Sequence, residues 1–256
     1  MPAIRLLPET IVNRIAAGEV IERPAAAVKE LVENALDAGA TRISVVLEGG
    51  GIDRIEVADD GCGMTAEELA LAVQRHATSK LPDNDLVRIA TLGFRGEALP
   101  SIGAAARLAI ISRPHGAPHA HAIRVEASEV SPVTPAAGAP GTRVLVRDLF
   151  FATPARRKFL KHPRTEAEHA EAVLRRLALA APHVAFRLES DSRTIFDLPT
   201  QDRPARAAAL LGADAAAALI PFDEVRAPLH LAGFAASPAV TRATATHQAL
   251  TVNGRP

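Results

Sequence analysis

The 256-residue chain has no tryptophan, no tyrosine and a single cysteine, Cys62. One thiol excludes an internal disulfide framework and fits a reducing compartment. No stretch approaches the roughly 20 consecutive apolar residues that a membrane span needs. The opening segment MPAIRLLPETIVNRIAAGEV has no long apolar core and carries Arg5, Glu9, Arg14 and Glu19, so it is not a signal peptide. The expectation is a soluble, cytoplasmic chain with no membrane partner. Formal net charge is zero, which removes the global basic field of many nucleic-acid binders and leaves only local patches. GxxxxGK[ST] is absent, and so is GxGxxG between a strand and a helix. A nucleotide ligand would have to be held by other means.

Helical and strand periods alternate, which points to mixed α and β structure. A helix runs from Pro24 to the stop at Gly39. TRISVVL and IDRIEVA read as strands around the turn EGGG. Thr65 and Glu68 form a capping box ahead of Leu69, Ala72, Val73 and His76. RLAIISR, AIRVEA and TRVLVRDLF supply further strands of a sheet with helices on one face. Thr153 and Pro154 start a short helix, residues 165–181 form a long one, and VAFRLE with RTIFDLP closes a hairpin. PHGAPHAH and SPVTPAAGAPG read as loops. A polar, proline-containing stretch at 199–204 marks a boundary. Beyond it come an Ala-rich helix, 206–219, and the strand-like LHLAGFAA and QALTVNG. About fifty residues make a poor independent core. The expected division is therefore 1–204, with 205–256 the truncated start of a second small α/β unit.

Four stretches carry polar chemistry. On a helical wheel KELVENALDAGA gathers Val28, Leu31, Val32, Ala35 and Leu36 on one side, with Glu30, Asn34 and Asp37 on the other. That polar side is either a solvated surface or the wall of a pocket needing a base and an oxygen ligand. DDGCGM, residues 59–64, follows a strand directly. Gly61 and Gly63 serve either a β-to-α turn or a backbone lying close to a flat ring, with Asp59 accepting from an exocyclic amine. GFRGEAL, residues 93–99, places two glycines and Arg95 before a helix, either as a surface loop or as an anion-binding arrangement to which HATSK adds hydroxyls and Lys80. Gly141 and Thr142 open a strand, and Arg156, Arg157 and Lys158 form a basic cluster. His115, His119 and His121 have roughly ligand-like spacing but no cysteine beside them, and they read as loop histidines.

In this order, IAAGEVIERPAAAVKELVENALDAGA, DDGCGM, RHATSK, GFRGEAL and TPARRKFL resemble the DNA mismatch-repair MutL family from Ile4 to about Gly254. The ENALDAGA and DxGxG pieces are shared with a wider superfamily of gyrase, heat-shock chaperone and histidine kinase ATPases. A topoisomerase subunit would leave IAAGEV and TPARRKFL unexplained. The resemblance implies a two-layer α/β sandwich of the Bergerat ATP-binding type, with a mixed sheet and helices on one face. It implies Glu30 as general base, Asn34 as Mg²⁺ ligand, and Asp59, Gly63 and Thr142 at adenine. It places Thr78, Ser79, Lys80, Gly93, Phe94, Arg95, Gly96, Glu97, Ala98 and Leu99 in a lid over the phosphates. Asp37 receives no chemical role; it is expected to hold the helix end or a neighbouring residue.

The cofactors implied are ATP and Mg²⁺, and the activity is slow hydrolysis used as a switch. An N-terminal arm, residues 1–20, reaches across a homodimer when ATP is bound. The further partners implied are a mismatch-recognition protein, a downstream nuclease or helicase, and DNA with little sequence preference, in a bacterial, nucleoid-associated setting. Two departures stand out. Pro100 falls just after GFRGEAL, and the family's phosphate-contacting lysine and C-terminal nicking region lie beyond NGRP. The expectation is nucleotide binding without nuclease activity. The alternative is an ATP-gated DNA clamp that does not turn over.

Overall fold

The computed structural model describes residues 4–80, 91–93, 95–238 and 248–256; Glu9, Thr10, Asn13, Arg14, Ala213 and Asp214 are described by backbone alone. Phe94 lies outside the described residues. The N-terminal helix α1 spans Glu9–Val20 and α2 spans Pro24–Asp37. Pro24 fits the first helical turn, where no intrahelical N–H is required, and positive φ at Gly39 ends the segment. Val28, Leu31 and Val32 on α2 are buried, each worth roughly 1.5–3 kcal/mol of transfer free energy.

The strands β1 (Arg42–Glu48) and β2 (Arg54–Asp59) flank a 3₁₀ turn at Gly49–Gly51. Next come α3 (Ala66–Ala72), α4 (Ala98–Ala105), β3 (Arg107–Arg113), β4 (Ala120–Glu126), β5 (Glu129–Val130), β6 (Thr134–Ala136) and β7 (Gly141–Arg147). After the short α5 (Pro154–Arg157) and the long α6 (Pro163–Ala180), β8 (Ala185–Ser190) and β9 (Arg193–Leu198) complete the sheet. Its order is β5-β4-β3-β7-β2-β1-β8-β9, with β6 beside β4; β1 and β8 run parallel and the other pairs antiparallel.

Register explains why the core sits on one face. Val45, Val57, Val144, Ile110 and Ile123 are successive cross-strand partners, and all are buried. One row further along, the apolar series breaks: Ile43 faces Asp59, Asp59 faces Thr142, and Thr142 faces Ser112. A polar row therefore ends the core-facing surface. The opposite face alternates toward charge: Arg54 and Arg143 stay partly exposed and pair with the buried Glu56 between them, as antiparallel sheets permit.

The Thr65 capping box is present in both directions, Glu68 N to Thr65 Oγ1 at 3.2 Å and Thr65 N to Glu68 Oε2 at 2.8 Å. The helix it starts ends at Ala72, short of His76, whose φ is 62°. The Ala-rich segment is not one helix over 206–219. It is α7 (Arg203–Leu211) and α8 (Ala213–Ala217), broken at Gly212, where φ is 90°. Leu219 begins β10 (Leu219–Arg226), which pairs with β11 (Leu229–Ala236) in a separate two-stranded sheet. Among the described residues 248–256 the expected strand appears as an isolated bridge between Val252 and Arg255, and no other described strand pairs with it. The SPVTPAAGAPG loop contributes β6 to the sheet edge.

Arg206 anchors α7 to the larger unit. Its guanidinium is fully buried and donates to the carbonyl oxygens of Ala178, Pro182, Val184 and Pro199 at 2.8–3.0 Å, and to Gln201 Oε1 at 2.9 Å. Burial holds its pKa below the usual arginine value, yet an arginine keeps its charge in a protein.

Candidate functional site

The polar row at the sheet's end and the polar side of α2 meet. Cys62 N donates to Ala38 O at 3.0 Å, and a Cβ on Gly61 would lie 2.8 Å from Ala38 Cβ. The DDGCGM turn is thus pressed onto the C-terminal end of α2. Asp60 fixes it there, accepting from Thr41 N at 2.7 Å, Thr41 Oγ1 at 2.6 Å and Arg42 N at 2.8 Å.

Its neighbour Asp59 is turned inward. One oxygen accepts from Gly61 N at 2.9 Å. Burial raises its pKa above the ordinary carboxylate value, partly offset by the backbone of Gly61 and Thr142. Beside it, Ser112 was read only as part of an apolar strand. It is 1% exposed and bonds on three sides: it accepts from Met64 N at 2.8 Å, donates to Gly141 O at 3.1 Å, and lies 2.8 Å from Thr142 Oγ1. A serine has one proton to give. Either hydroxyl of the Ser112–Thr142 pair can be the donor; in the arrangement where Ser112 gives its proton to Gly141 O, Thr142 donates to Ser112 and keeps its lone pairs free to accept. In that arrangement Asp59 and Thr142 stand side by side as hydrogen-bond acceptors at the end of the sheet.

Gly63 has φ 70°, and a Cβ there would lie 2.2 Å from Arg113 O. The backbone of β3 already demands glycine at this position, apart from any ring placed above it. Gly141 is equally constrained, with Asp59 O at 2.0 Å from a hypothetical Cβ.

At the same C-terminal end of α2, five residues converge. Lys80 Nζ donates to Asn34 Oδ1 at 2.7 Å and to Asp37 Oδ2 at 2.5 Å. Asp37 Oδ1 accepts from Leu92 N at 2.8 Å, and Oδ2 also accepts from Gly93 N at 3.1 Å. Asp37, expected only to hold the helix end or a neighbouring residue, ties HATSK and GFRGEAL to α2, and its side chain is only 7% exposed. The signal for it was its place on the wheel beside Asn34. Glu33 is also buried; it pairs with Lys29 at 2.8 Å, and burial raises its pKa against the pull of Lys29. Glu30 is a third exposed, with Lys29 Nζ 3.7 Å away.

The remaining candidates flank this cluster. Thr78 Oγ1 accepts from Lys80 N at 3.1 Å, and Ser79 is exposed. Gly96 has φ 61° and abuts the Ala77 backbone; Glu97 pairs with Arg75 at 3.0 Å; Arg95 lies between these glycines. Ala98 and Leu99 start α4, so Pro100 sits in its first turn and breaks no helix bond. Arg255 donates to Thr91 O, bringing the NGRP segment to the same edge.

Other groups do not join this site. His115 Nε2 lies 3.2 Å from Asp60 O, whereas His119 and His121 pair with each other, ring centroids 4.9 Å apart. Among the described residues no three His, Cys, Asp or Glu side chains are grouped for a metal. A cavity of about 280 Å³ beside α5, lined by Asp53, Arg157 and Lys161, is a separate feature. Arg156 lies across Gly18 of α1, joining the IAAGEV and TPARRKFL segments in space.

Residues 21–137 match the family described as histidine kinase-, DNA gyrase B- and HSP90-like ATPases. The DNA mismatch repair protein MutL of Acidiphilium cryptum is 60% identical over 100% of this chain and 44% of its own length. The MutL of Azorhizobium caulinodans is 59% identical over 99% of this chain and 41% of its own length. The chain thus spans less than half the length of these relatives. The Aquifex aeolicus MutL ATPase domain, solved in complex with ADP, is 30% identical, has a TM-score of 0.66, and is covered over 73% of its length by 80% of this chain. With that fold, the mixed sheet and the segments gathered at the C-terminal end of α2, the chain belongs to the MutL family of DNA mismatch repair proteins and comprises its N-terminal ATPase domain.

Proposed function

We propose that this domain binds ATP with Mg²⁺ and hydrolyses it slowly, using the nucleotide as a switch in mismatch repair. The observation that carries the reading is the direction of the polar side of α2. Asn34 and Asp37 turn toward HATSK and GFRGEAL, and the Asp59 turn closes the same end of the helix. The acceptor pair Asp59 and Thr142 suits the adenine amine, with Gly63 in the same turn. In this reading Thr78, Ser79, Lys80, Gly93, Arg95, Gly96 and the N–H groups before α4 meet the phosphate oxygens. Phe94 belongs to the same proposed segment.

The cation fits on chemical grounds. Asn34 Oδ1 is an uncharged oxygen that already receives a cationic group, the Lys80 ammonium, and hard divalent cations take oxygen ligands. Mg²⁺, when bound, neutralises phosphate charge. Glu30, partly exposed at the rim, takes the proton of the attacking water. Ile4 and Leu6 are fully exposed and Ile11, Val12 and Ile15 partly so, which supports an arm that finds its apolar cover on a second copy when ATP binds. The mismatch-recognition protein, the downstream nuclease or helicase, and sequence-independent DNA contact belong to the same reading of the whole protein, as does a cytoplasmic, nucleoid-associated location. Among the described residues no helix is long and apolar enough to cross a membrane.

Phosphate release measured beside equilibrium ATP binding tests this. Glu30→Ala should keep binding and lose release, and Asn34→Ala should lose the Mg²⁺-dependent part of binding. Equal release from wild type and Glu30→Ala sinks the role of Glu30. Binding without release in the wild type favours the non-hydrolysing clamp.

A further inference from the structure

We infer that the Lys80 ammonium is a built-in stand-in for the divalent cation, held on Asn34 and Asp37 until the metal displaces it. The inference rests on the ATP and Mg²⁺ reading above and deepens it. Three observations carry it. Lys80 Nζ sits 2.7 Å from Asn34 Oδ1, the oxygen proposed to meet the metal, and 2.5 Å from Asp37 Oδ2. The Lys80 side chain is only 19% exposed and the Asp37 side chain 7%, so the contact is sheltered from solvent. A Cβ on Gly93 would lie 3.2 Å from Lys80 Nζ, 3.7 Å from Asn34 Oδ1 and 3.8 Å from Asp37 Oδ2. The lack of a side chain at Gly93 thus leaves room for the ammonium between the two oxygens.

An ammonium and a divalent cation cannot share this spot. At contact distance in a sheltered site their repulsion is several kcal/mol even at an effective dielectric of ~20. Metal arrival therefore requires Lys80 to leave, and Lys80 leaves toward the phosphates, the nearby anions it can neutralise. Asp37 stays behind as a positioning residue. It keeps the Leu92 and Gly93 N–H bonds, so that GFRGEAL remains docked while HATSK is released. In the nucleotide-free chain the same ammonium relieves the charge of Asp37 and keeps the cation ligand oriented.

The test is equilibrium binding of ADP to the 256-residue chain while Mg²⁺ is varied. ADP lacks the γ-phosphate, which limits the loss of phosphate contacts when Lys80 is replaced. In Lys80→Met and Lys80→Gln, removal of the competitor lowers the half-saturating Mg²⁺ concentration by at least about threefold. Lys80→Arg, which retains the charge, stays within about twofold of wild type on the same scale. If Lys80→Met does not fold, Lys80→Gln decides. Hydrogen exchange at the Leu92 and Gly93 amides, without nucleotide, is unchanged in Lys80→Met and accelerated in Asp37→Ala. Half-saturation that is unmoved or raised in the two neutral variants overturns the stand-in role alone. A wild type whose ADP binding ignores Mg²⁺ overturns the cation reading beneath it, and this inference with it.

Discussion

Asp59 and Asp60 are adjacent in sequence and are driven in opposite directions by their surroundings. Burial raises the pKa of Asp59 more than its backbone donors lower it. For Asp60, burial also pushes upward, but the donors of Thr41 and Arg42 outweigh it and the net shift is downward. One carboxyl anchors the turn and the other faces the proposed ligand.

The two shifts give opposite pH signatures. With a raised folded pKa, Asp59 costs stability as pH rises from its ordinary value of 3.8 through the folded value, and the cost remains at neutrality. Asp59→Asn should therefore stabilise the ligand-free chain at pH 7, on the order of 1 kcal/mol, with the gain vanishing at low pH. It should also lose the thermal shift caused by ADP. Asp60 contributes stability above its ordinary value that is lost as pH falls through the lowered folded one. Asp60→Asn should cost roughly 1–2 kcal/mol at pH 7, discounted for its partial exposure, and little in acid. Thermal unfolding across pH checks both; equal signs for the two variants would refute the division of labour.

Ser112→Ala tests the hydrogen-bond logic of the pocket floor. The variant leaves Met64 N and Gly141 O short of a partner, costing about 1–3 kcal/mol. It also frees the Thr142 proton, so that an oxo edge becomes acceptable where only an amine was. The preference for ADP over GDP, measured as a ratio of dissociation constants, should fall by about tenfold, equivalent to ~1.4 kcal/mol. An unchanged ratio alongside the stability loss would confine Ser112 to a packing role.

How much was legible follows from the range of the interactions. The α2 amphipathicity, the Thr65–Glu68 box and the alternating strands are signals within a few residues, and each is present in the fold. The place of Asp37 on the polar side of α2 is a local signal, but its partners Lys80, Leu92 and Gly93 are 43 to 56 positions away and only the fold shows them. Ser112 was hidden by the apolar alternation of its own strand, and only the cross-strand row through Thr142 and Asp59 shows its use. Arg206 sits in an Ala-rich helical run whose sequence gives no sign of the carbonyl cluster it serves. The break at Gly212 had a local signal, the glycine itself, which the strong helix propensity on both sides obscured. The lid residues Thr78 to Lys80 and Gly93 to Leu99 came from family resemblance, since their spacing alone suits a surface loop equally well.

Arg206 should be among the costliest positions to alter outside the proposed ligand site. Its fork serves carbonyls from the end of α6, from the turn before β8 and from the segment after β9. Arg206→Ala strips the donor from several buried carbonyl oxygens, each unsatisfied acceptor costing about 1–3 kcal/mol, and should cost about 3–5 kcal/mol in urea unfolding. Arg206→Lys should recover only a minor part of this, because one compact ammonium cannot span acceptors arranged for a planar fork. A full rescue by lysine would show that charge, not geometry, holds α7 in place.

Gly63 and Gly93 separate two reasons for a glycine near a ligand. At Gly63 the φ of 70° disfavours any side chain, and a Cβ would lie 2.2 Å from Arg113 O and 2.8 Å from Pro114 N, neither of which yields without moving β3. Gly63→Ala should lose about 1–3 kcal/mol in the ligand-free chain, the usual cost of overpacking. At Gly93 the backbone is not in the left-handed region, and the nearest atom to a Cβ is Lys80 Nζ at 3.2 Å, the end of a flexible side chain. Gly93→Ala should keep stability within roughly 0.5 kcal/mol. By crowding the ammonium it should instead lower the Mg²⁺ concentration needed for ADP binding. If Gly63→Ala were neutral without ligand and harmful only with ADP, the need for glycine there would come from the adenine ring and not from the strand behind it.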